Sequence, residues 1–325
     1  MNLESKTLDP KRAIECWYLT GATASGKTSV SVELAKLLDA EIISLDSMSI
    51  YRGMDIGTAK PPADIQAEIP HHLIDILDPI QAFSVSQYRE MAHEKIEAIR
   101  ERGKEVLFVG GTALYLKALL RGLFGGPPAD WEFRKQIEEE LKDVEDELLY
   151  KRMADIDPVA ASKIHPNDRR RIIRALEVYK STGQPISHFQ MEFADPAPAD
   201  ECRVFTIRHP RAILHDRIEQ RVGEMFEAGL IDEVAQLSER WGELGHTAGQ
   251  AVGYREVIEH LAGERDLDET KEKVLVRTRK FARHQETWFR GLEECRMIDL
   301  EDGLDAKQLA DQIYSLGTKV SNETT

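Results

Sequence analysis

Short apolar runs alternate with amphipathic helical patterns over the first 120 residues of the chain. The run IECWYL (14–19) leads into a glycine-containing loop, after which apolar residues at helical spacing predict an amphipathic helix. EIISLDS (41–47) predicts a second strand, and 87–102 predicts a helix that Gly103 ends. EVLFVGG (105–111) predicts a buried strand, followed by a helix in TALYLKALLRGL (112–123). This alternation indicates a doubly wound parallel sheet.

The pattern changes after the breaker cluster FGGPPAD (124–130). From 131 to 179 the chain is charged and helix-periodic, without a strand candidate, and the Pro/Ala/Asp-rich stretch FADPAPADE (193–201) closes this section. RVFTIR (203–208) then resumes as a strand, and we expect a last strand near CRMIDL (295–300). A helical insertion in an α/β core is therefore predicted.

The residues between the first strand and the first helix match the phosphate-binding pattern GxxxxGK[ST]. Loop N–H groups and the helix N-terminus favour phosphate oxygens, Lys27 neutralises charge, and the Thr28 hydroxyl is a candidate ligand of Mg²⁺. The predicted diphosphate-binding residues are Gly21, Ala22, Thr23, Ala24, Ser25, Gly26, Lys27 and Thr28.

These patterns together predict an α/β fold: a P-loop NTPase-like parallel sheet core flanked by helices, with an all-helical insertion domain. We assign the core to 14–126 and 201–318 and the insertion to 127–200. The ends, 1–13 and 319–325, are expected to be flexible, and the tail from Gly317 onward is expected to be disordered.

An acidic residue of the kind that supports Mg²⁺ in nucleotide hydrolases is missing from the strand where it is expected. EVLFVGG runs into Gly110, Gly111 and Thr112 instead of an aspartate. The acid follows the preceding strand, at Asp46, where the topology directs it to the same crevice as the phosphate loop. A carboxylate there can face an acceptor, although it can also act as a turn former before Ser47.

Composition and charge restrict the class of protein further. With 325 residues, 42% of them apolar, the chain can bury a sizeable core. No apolar run approaches the ~20 residues that span a bilayer, and the N-terminus resembles neither a signal nor a transit peptide, so we expect a cytoplasmic protein without a membrane partner. Its three cysteines lie far apart with no CxxC pair, which favours buried thiols over a zinc site.

The net charge of −15 argues against nucleic-acid binding by the chain as a whole. Three segments nevertheless carry a basic excess: 163–180 has six basic and two acidic residues, 202–221 has five and two, and 277–296 has six and three. Each is compatible with a solvated helix face or with a surface for phosphates.

Seven segments together resemble the bacterial-type tRNA dimethylallyltransferases, also called tRNA isopentenyltransferases. They follow one another in the expected order between about 16 and 290: GATASGKT, DSMSIYRGMDIGTAKP, HHLIDILDP, GGTALYLKALLRGL, HPNDRRRIIRALEVY, AVGYREV and RHQETWFRG. The resemblance implies transfer of a dimethylallyl group from dimethylallyl diphosphate to N6 of adenosine 37 in tRNA, by a monomer. The phosphate loop would then hold the leaving group.

The resemblance also implies individual roles. Asp46 matches the family's general base, while Lys27, Thr28 with Mg²⁺, and an arginine would stabilise the diphosphate. We favour Arg221 over Arg217 for that arginine, although Arg221 could instead pair with a nearby glutamate. Thr112 matches a position near the acceptor adenosine, with helix capping as the competing interpretation.

By the same resemblance, the adenosine flips out of its stack into the site, and residues of three segments contact the anticodon stem-loop. Trp288 would contribute an aromatic ring, against the alternative that it is, like Phe289, a core residue. The expected tRNA-contacting residues are Asp46, Ser47, Met48, Ser49, Thr112, Arg134, Arg170, Arg171, Arg174, Arg283, Gln285 and Trp288.

The chain departs from the family pattern at several positions: Ala22 stands where proline is usual, Ser49 where glutamine is usual, and His284 where a lysine or arginine is usual. Other functions also remain open at this point. A small P-loop kinase, an isopentenyltransferase acting on free adenine nucleotides, and a non-catalytic RNA-binding protein share parts of the pattern.

Overall fold

The computed structural model describes residues 13–122, 126–127, 129–140, 146–189, 195–300 and 305–322. The described chain divides into two compact units, one of Met1–Leu120 with Pro196–Thr325 and one of Arg121–Asp195. The sequence placed the insertion at 127–200. None of the described helices is both long and apolar enough to cross a membrane.

A six-stranded parallel sheet forms the centre of the first unit, as expected for an α/β fold. Its strand order is β3-β2-β4-β1-β5-β6, so β4 lies between the first two strands. The strands are β1 (Trp17–Gly21), β2 (Ala40–Ser44), β3 (His71–His72), β4 (Glu105–Gly110), β5 (Val204–Arg208) and β6 (Cys295–Asp299).

Helices connect the strands of the first unit. They are α1 (Lys27–Leu38), α2 (Ala63–Glu68), α3 (Val85–Glu101) and α4 (Ala113–Arg121) before the second unit. After it come α10 (Arg211–Glu227), α11 (Leu230–Trp241), α12 (His246–Gly249), α13 (Tyr254–Leu261), α14 (Leu267–Arg290) and α15 (Ala306–Asn322).

Apolar side chains cover both faces of the sheet because successive strand residues point to opposite sides. Tyr18 stacks on Phe108 at one face, with ring centroids 4.8 Å apart. Trp17 stacks on Phe205 at the other, with centroids 6.1 Å apart. Every residue of β1 and β2 is buried, as expected for strands of a parallel sheet that is covered on both faces.

The prediction of a disordered tail from Gly317 is wrong for 317–322, which belongs to α15. The helix persists because its apolar side packs on the sheet, where Leu309 and Ile313 are buried beside Trp17. At Gly317 a side chain would collide with the Trp17 ring, 2.1 Å away. Residues 1–12 and 323–325 lie outside the described residues.

The described part of the second unit consists of helices and their connections and has its own apolar core. Ile137, Leu149, Met153, Ile172 and Val178 lie at its centre. The helices are α5 (Trp131–Glu140), α6 (Asp146–Ile156), α7 (Pro158–Ala161), α8 (Arg169–Thr182) and α9 (Ile186–Phe189).

Candidate active site

The carboxyl ends of adjacent strands bring three loops of the first unit together. The phosphate loop follows β1, Gly110 to Thr112 follow β4, and Asp46 follows β2 shortly after its last residue. Since β4 pairs with both β1 and β2, its glycines separate the phosphate loop from Asp46. Gly110 has no room for a side chain, because a Cβ there would lie 2.2 Å from the Leu45 carbonyl oxygen.

The phosphate loop contains two residues in left-handed backbone conformations. Ala24 and Gly26 adopt left-handed conformations, with φ of 62° and 85°, and alternating right- and left-handed residues form anion-binding concavities. Lys27 folds back over the loop, and its Nζ donates to the carbonyl oxygens of Gly21 at 3.0 Å and Ala22 at 2.6 Å. Thr28 is exposed at the start of α1.

Three side chains hold the phosphate loop from elsewhere in the first unit. Arg217 on α10 donates from Nε to the Ala24 carbonyl oxygen at 2.8 Å, and His209 Nε2 lies 3.1 Å from the Ser25 carbonyl oxygen. Gln285 on α14 accepts the Thr23 N–H at 2.9 Å. The sequence reasoning missed His209, whose only signal is its position directly after β5.

Lys27, Arg221 and Asp46 interact electrostatically. Burial, together with the positive charge of Arg221, lowers the pKa of Lys27 to about 7, while Asp46 acts in the opposite direction. Burial also lowers the pKa of Arg221, again opposed by Asp46. Glu224 also opposes the shift of Arg221. Asp46 is the carboxylate that acts on both Lys27 and Arg221, and two basic side chains around it favour an anionic ligand.

Asp46 begins a tight turn that the neighbouring loop supports. Its Oδ1 accepts the backbone N–H of Met48 at 2.8 Å and of Ser49 at 3.4 Å. Thr112 accepts the Ser47 N–H through Oγ1 at 3.1 Å. The turn-forming role of Asp46 is thus present, and because both bonds use Oδ1, it leaves Oδ2 for a further partner.

The segment after this turn, DIGTAK (55–60), is stabilised by polar contacts that are partly exposed to solvent. Glu233 on α11 accepts the N–H groups of Asp55 at 3.0 Å and Ile56 at 2.7 Å, as well as the Tyr254 hydroxyl at 2.6 Å. Lys60 donates to the Tyr51 carbonyl oxygen at 2.5 Å. Sequence reasoning missed Glu233, since its partners lie far away along the chain.

The four arginines expected to contact tRNA in the second unit differ in their surroundings. Arg134 forms a bidentate pair with the buried Glu177, at 2.9 and 2.8 Å, and Arg174 donates to the same carboxylate at 2.5 Å. Arg170 and Arg171 are exposed, with Arg171 3.2 Å from Asp168. Arg134 and Arg174 therefore stabilise the unit through its interior, whereas Arg170 and Arg171 face solvent.

Helix α14 carries the third group of residues expected to contact tRNA. Trp288 is exposed and Phe289 fully buried, so of these two only Phe289 is a core residue. Arg283 is exposed as well. Gln285 is buried and engaged with the phosphate loop, which distinguishes it from its neighbours on the same helix.

A family model described as IPP transferase matches residues 49–292, well over half of the chain. The chain belongs to the IPP transferase family. The matched range contains Thr112, Arg221 and Gln285, together with the second unit.

Curated relatives of this IPP transferase family chain have closely similar lengths. A tRNA dimethylallyltransferase of Rhodopirellula baltica is 48% identical over 286 residues, covering 86% of each chain. A tRNA dimethylallyltransferase of Pelotomaculum thermopropionicum is 44% identical over 296 residues, 91% of this chain and 94% of the relative.

Solved structures agree with the IPP transferase fold. A tRNA isopentenylpyrophosphate transferase from Bacillus halodurans superposes with a TM-score of 0.68 at 36% identity, covering 96% of this chain and 99% of the other. A eukaryotic dimethylallyltransferase described as acting on tRNA gives a TM-score of 0.75 at 27% identity, with coverages of 94% and 79%.

Proposed function

We propose that this protein transfers the dimethylallyl group of dimethylallyl diphosphate to N6 of adenosine 37 in tRNA and releases diphosphate. The observation that carries this function is the phosphate loop flanked by two cations and by the Asp46 carboxylate, without an aspartate at the end of β4. Relatives at 42–48% identity bear the name tRNA dimethylallyltransferase, which supports this substrate pair.

Asp46 acts on the acceptor. The N6 lone pair of adenine is delocalised into the ring, so a base must remove an N6 proton as the new C–N bond forms. Asp46 Oδ2 takes this proton, while Oδ1 remains bonded to the Met48 N–H and keeps the carboxylate oriented. Thr112, by binding the Ser47 N–H, fixes the turn that presents Asp46.

The opposite side of the crevice binds the leaving group. The allylic C–O bond breaks as the C–N bond forms, and the bonding pair moves onto diphosphate. Lys27, Arg221 and the loop N–H groups stabilise that charge because they are in position before it develops. Arg217 supports the loop through the Ala24 carbonyl oxygen, which favours Arg221 as the arginine facing diphosphate.

Mg²⁺ is the proposed metal, and the donors present fit it only together with the diphosphate. No cluster of three or more histidine, cysteine or acidic side chains suited to a metal exists within the described ranges, whereas Mg²⁺ binds readily to phosphate oxygens, water and one or two protein oxygens. Thr28 would supply a hydroxyl beside the loop. When bound, the ion would add positive charge next to the leaving diphosphate.

For the RNA, we propose the anticodon stem-loop with adenosine 37 flipped out of its stack, bound by a cytoplasmic monomer. Arg170, Arg171, Arg283 and Trp288 are exposed and suited to phosphates and bases. Arg134 and Arg174 are less suited to RNA contact, because their guanidinium groups bind Glu177.

The decisive experiment incubates the protein and Mg²⁺ with unmodified tRNA and radiolabelled dimethylallyl diphosphate, beside reactions that supply AMP or ATP. Label in tRNA that disappears when adenosine 37 is changed to guanosine is the expected result. Label only in free nucleotide would instead indicate the isopentenyltransferase that acts on free adenine nucleotides. Consumption of ATP without transfer would indicate a kinase.

A further inference from the structure

Gln285 connects two loops that lie on different sides of the candidate active site. Its side-chain oxygen accepts the Thr23 N–H of the phosphate loop at 2.9 Å, and its Nε2 donates to the Gly111 carbonyl oxygen, also at 2.9 Å. The side chain is buried, with 8% of its surface exposed. Both ends of the amide are therefore occupied within the protein.

The backbone at Gly111 leaves space for this amide. A Cβ at Gly111 would lie 2.3 Å from Gln285 Nε2, so any larger residue must displace the glutamine. The φ of Gly111 is not in the left-handed region, so its backbone conformation does not require glycine. The close approach of Gln285 explains why a side chain does not fit here.

The contacts continue from Gly111 to Asp46. Thr112 follows directly, and its N–H donates to the Leu45 carbonyl oxygen at 3.0 Å. Its hydroxyl oxygen accepts the Ser47 N–H at 3.1 Å, next to the carboxylate. A connected series of hydrogen bonds thus joins Thr23 in the phosphate loop to the turn that carries Asp46.

We propose that Gln285 is a positioning residue that sets the distance between the diphosphate side and the acceptor side of the active site, and that it does not contact RNA. This assignment differs from the tRNA contact that the family resemblance implied. The assignment rests on the proposed function, which places diphosphate on one side and the acceptor adenosine on the other. Rotating the amide outward to reach RNA would leave the Thr23 N–H and the Gly111 carbonyl oxygen without these partners, which is unfavourable above all for the buried carbonyl.

Two substitutions disturb this connection from opposite ends. Gln285→Met keeps the approximate side-chain volume and removes both hydrogen bonds. Gly111→Ala retains the glutamine, but the added methyl group displaces its side-chain amide. Gln236→Met, at an exposed glutamine on α11, is the matched control. Thermal unfolding of each variant identifies any that fail to fold, and if one single variant fails, the other still tests the affinities and the transfer rate.

The measurements are the Kd for inorganic diphosphate with Mg²⁺, the Kd for tRNA, and single-turnover transfer. Each test variant should bind diphosphate about ten-fold more weakly and transfer on the order of 10²-fold more slowly. The Kd for tRNA should stay within about two-fold of wild type, as for an exposed control position. The double variant should show little further loss, because both changes remove the same connection.

Two outcomes would overturn the assignment. Weakened tRNA binding with unchanged diphosphate affinity would make Gln285 an RNA contact, and fully additive losses in the double variant would mean that the two residues act separately. If the wild-type chain itself bound no diphosphate, the proposed function would fail along with this inference. Wild-type binding with unaltered variants would reject the inference alone.

Discussion

The candidate active site and the second unit both combine basic side chains with a carboxylate, but they use them differently. In the second unit Arg134 and Arg174 surround Glu177, which is fully buried and accepts hydrogen bonds from both guanidinium groups. In the active site burial and the charge of Arg221 lower the pKa of Lys27, burial lowers the pKa of Arg221, and Asp46 opposes both shifts.

The difference shows that some charged side chains stabilise the fold, whereas others remain available to bind a ligand. A buried carboxylate that receives four hydrogen bonds forms part of the unit's interior and has no capacity for a substrate. Two cations with an incomplete counter-charge are instead arranged for an anion that arrives later. Basic residues in a motif can therefore serve either purpose, and burial of their partner separates the two cases.

The largest expected effect concerns Asp46. Asp46→Asn keeps an oxygen that can accept the Met48 N–H but removes the base, so transfer should fall by about 10² or more. The Kd for tRNA should change little. Single-turnover transfer and filter binding measure the two quantities, with Asp64→Asn, at an exposed aspartate on α2, as the matched control. Near-normal transfer would exclude Asp46 as the base.

The second effect tests the interior role of Glu177. Burial alone would raise the pKa of Glu177, but hydrogen bonds from Arg134, Arg174 and the Asp130 N–H lower it overall. Glu177→Gln should reduce the free energy of unfolding by about 3 kcal/mol, since it leaves two partly buried guanidinium groups without a counter-charge. Urea denaturation measures this loss.

Glu138→Gln, at an exposed glutamate on α5, is the control for Glu177→Gln, and we expect it to change stability by less than about 0.5 kcal/mol. Equal stability of the two variants would contradict the interior role.

A smaller effect is expected at the exposed arginines. Arg170→Gln and Arg171→Gln should leave stability nearly unchanged and weaken tRNA binding several-fold. They should also reduce the slope of log K against log salt by about one unit for each phosphate that the protein no longer binds. Binding assays between low and moderate salt measure the slope. An unchanged slope in the double variant would mean that the RNA binds elsewhere.

The smallest expected effect is the uptake of a proton by Lys27 when diphosphate binds. The pKa of Lys27 is about 7 in the free protein, because burial and Arg221 disfavour its charged form. Bound diphosphate favours the ammonium and raises that pKa, so binding above pH 7 takes up a proton and affinity falls as the pH rises through 7.

Calorimetry at pH 8 in two buffers of different ionisation enthalpy measures the protons taken up. Subtracting the uptake of Lys27→Met removes the contribution of the ligand's own titration. Equal uptake by the two proteins would show that Lys27 is already fully protonated before diphosphate binds.

Much of the core could be predicted because its signals are local. Apolar runs predicted β1, β2, β4, β5 and β6, while the two-residue strand β3 (71–72) escaped detection because it is too short to show a pattern. The tail from Gly317 was predicted to be disordered, although it belongs to α15 as far as Asn322, since a polar, glycine-containing tail gives no sign of packing on Trp17. The terminal boundary was therefore the weakest part of the prediction.

The sequence by itself determined the phosphate loop, since the turn of Gly21 to Thr28 depends on glycine positions and on a helix that begins within the motif. It also determined the family, because the motifs occur in order along the chain. Only the tertiary structure decided which charged and polar residues are available to a ligand. Glu177 lies 43 residues from Arg134, and Gln285 lies 262 residues from Thr23. Burial and hydrogen-bond pairing arise from such distant contacts, which no local pattern of residues encodes.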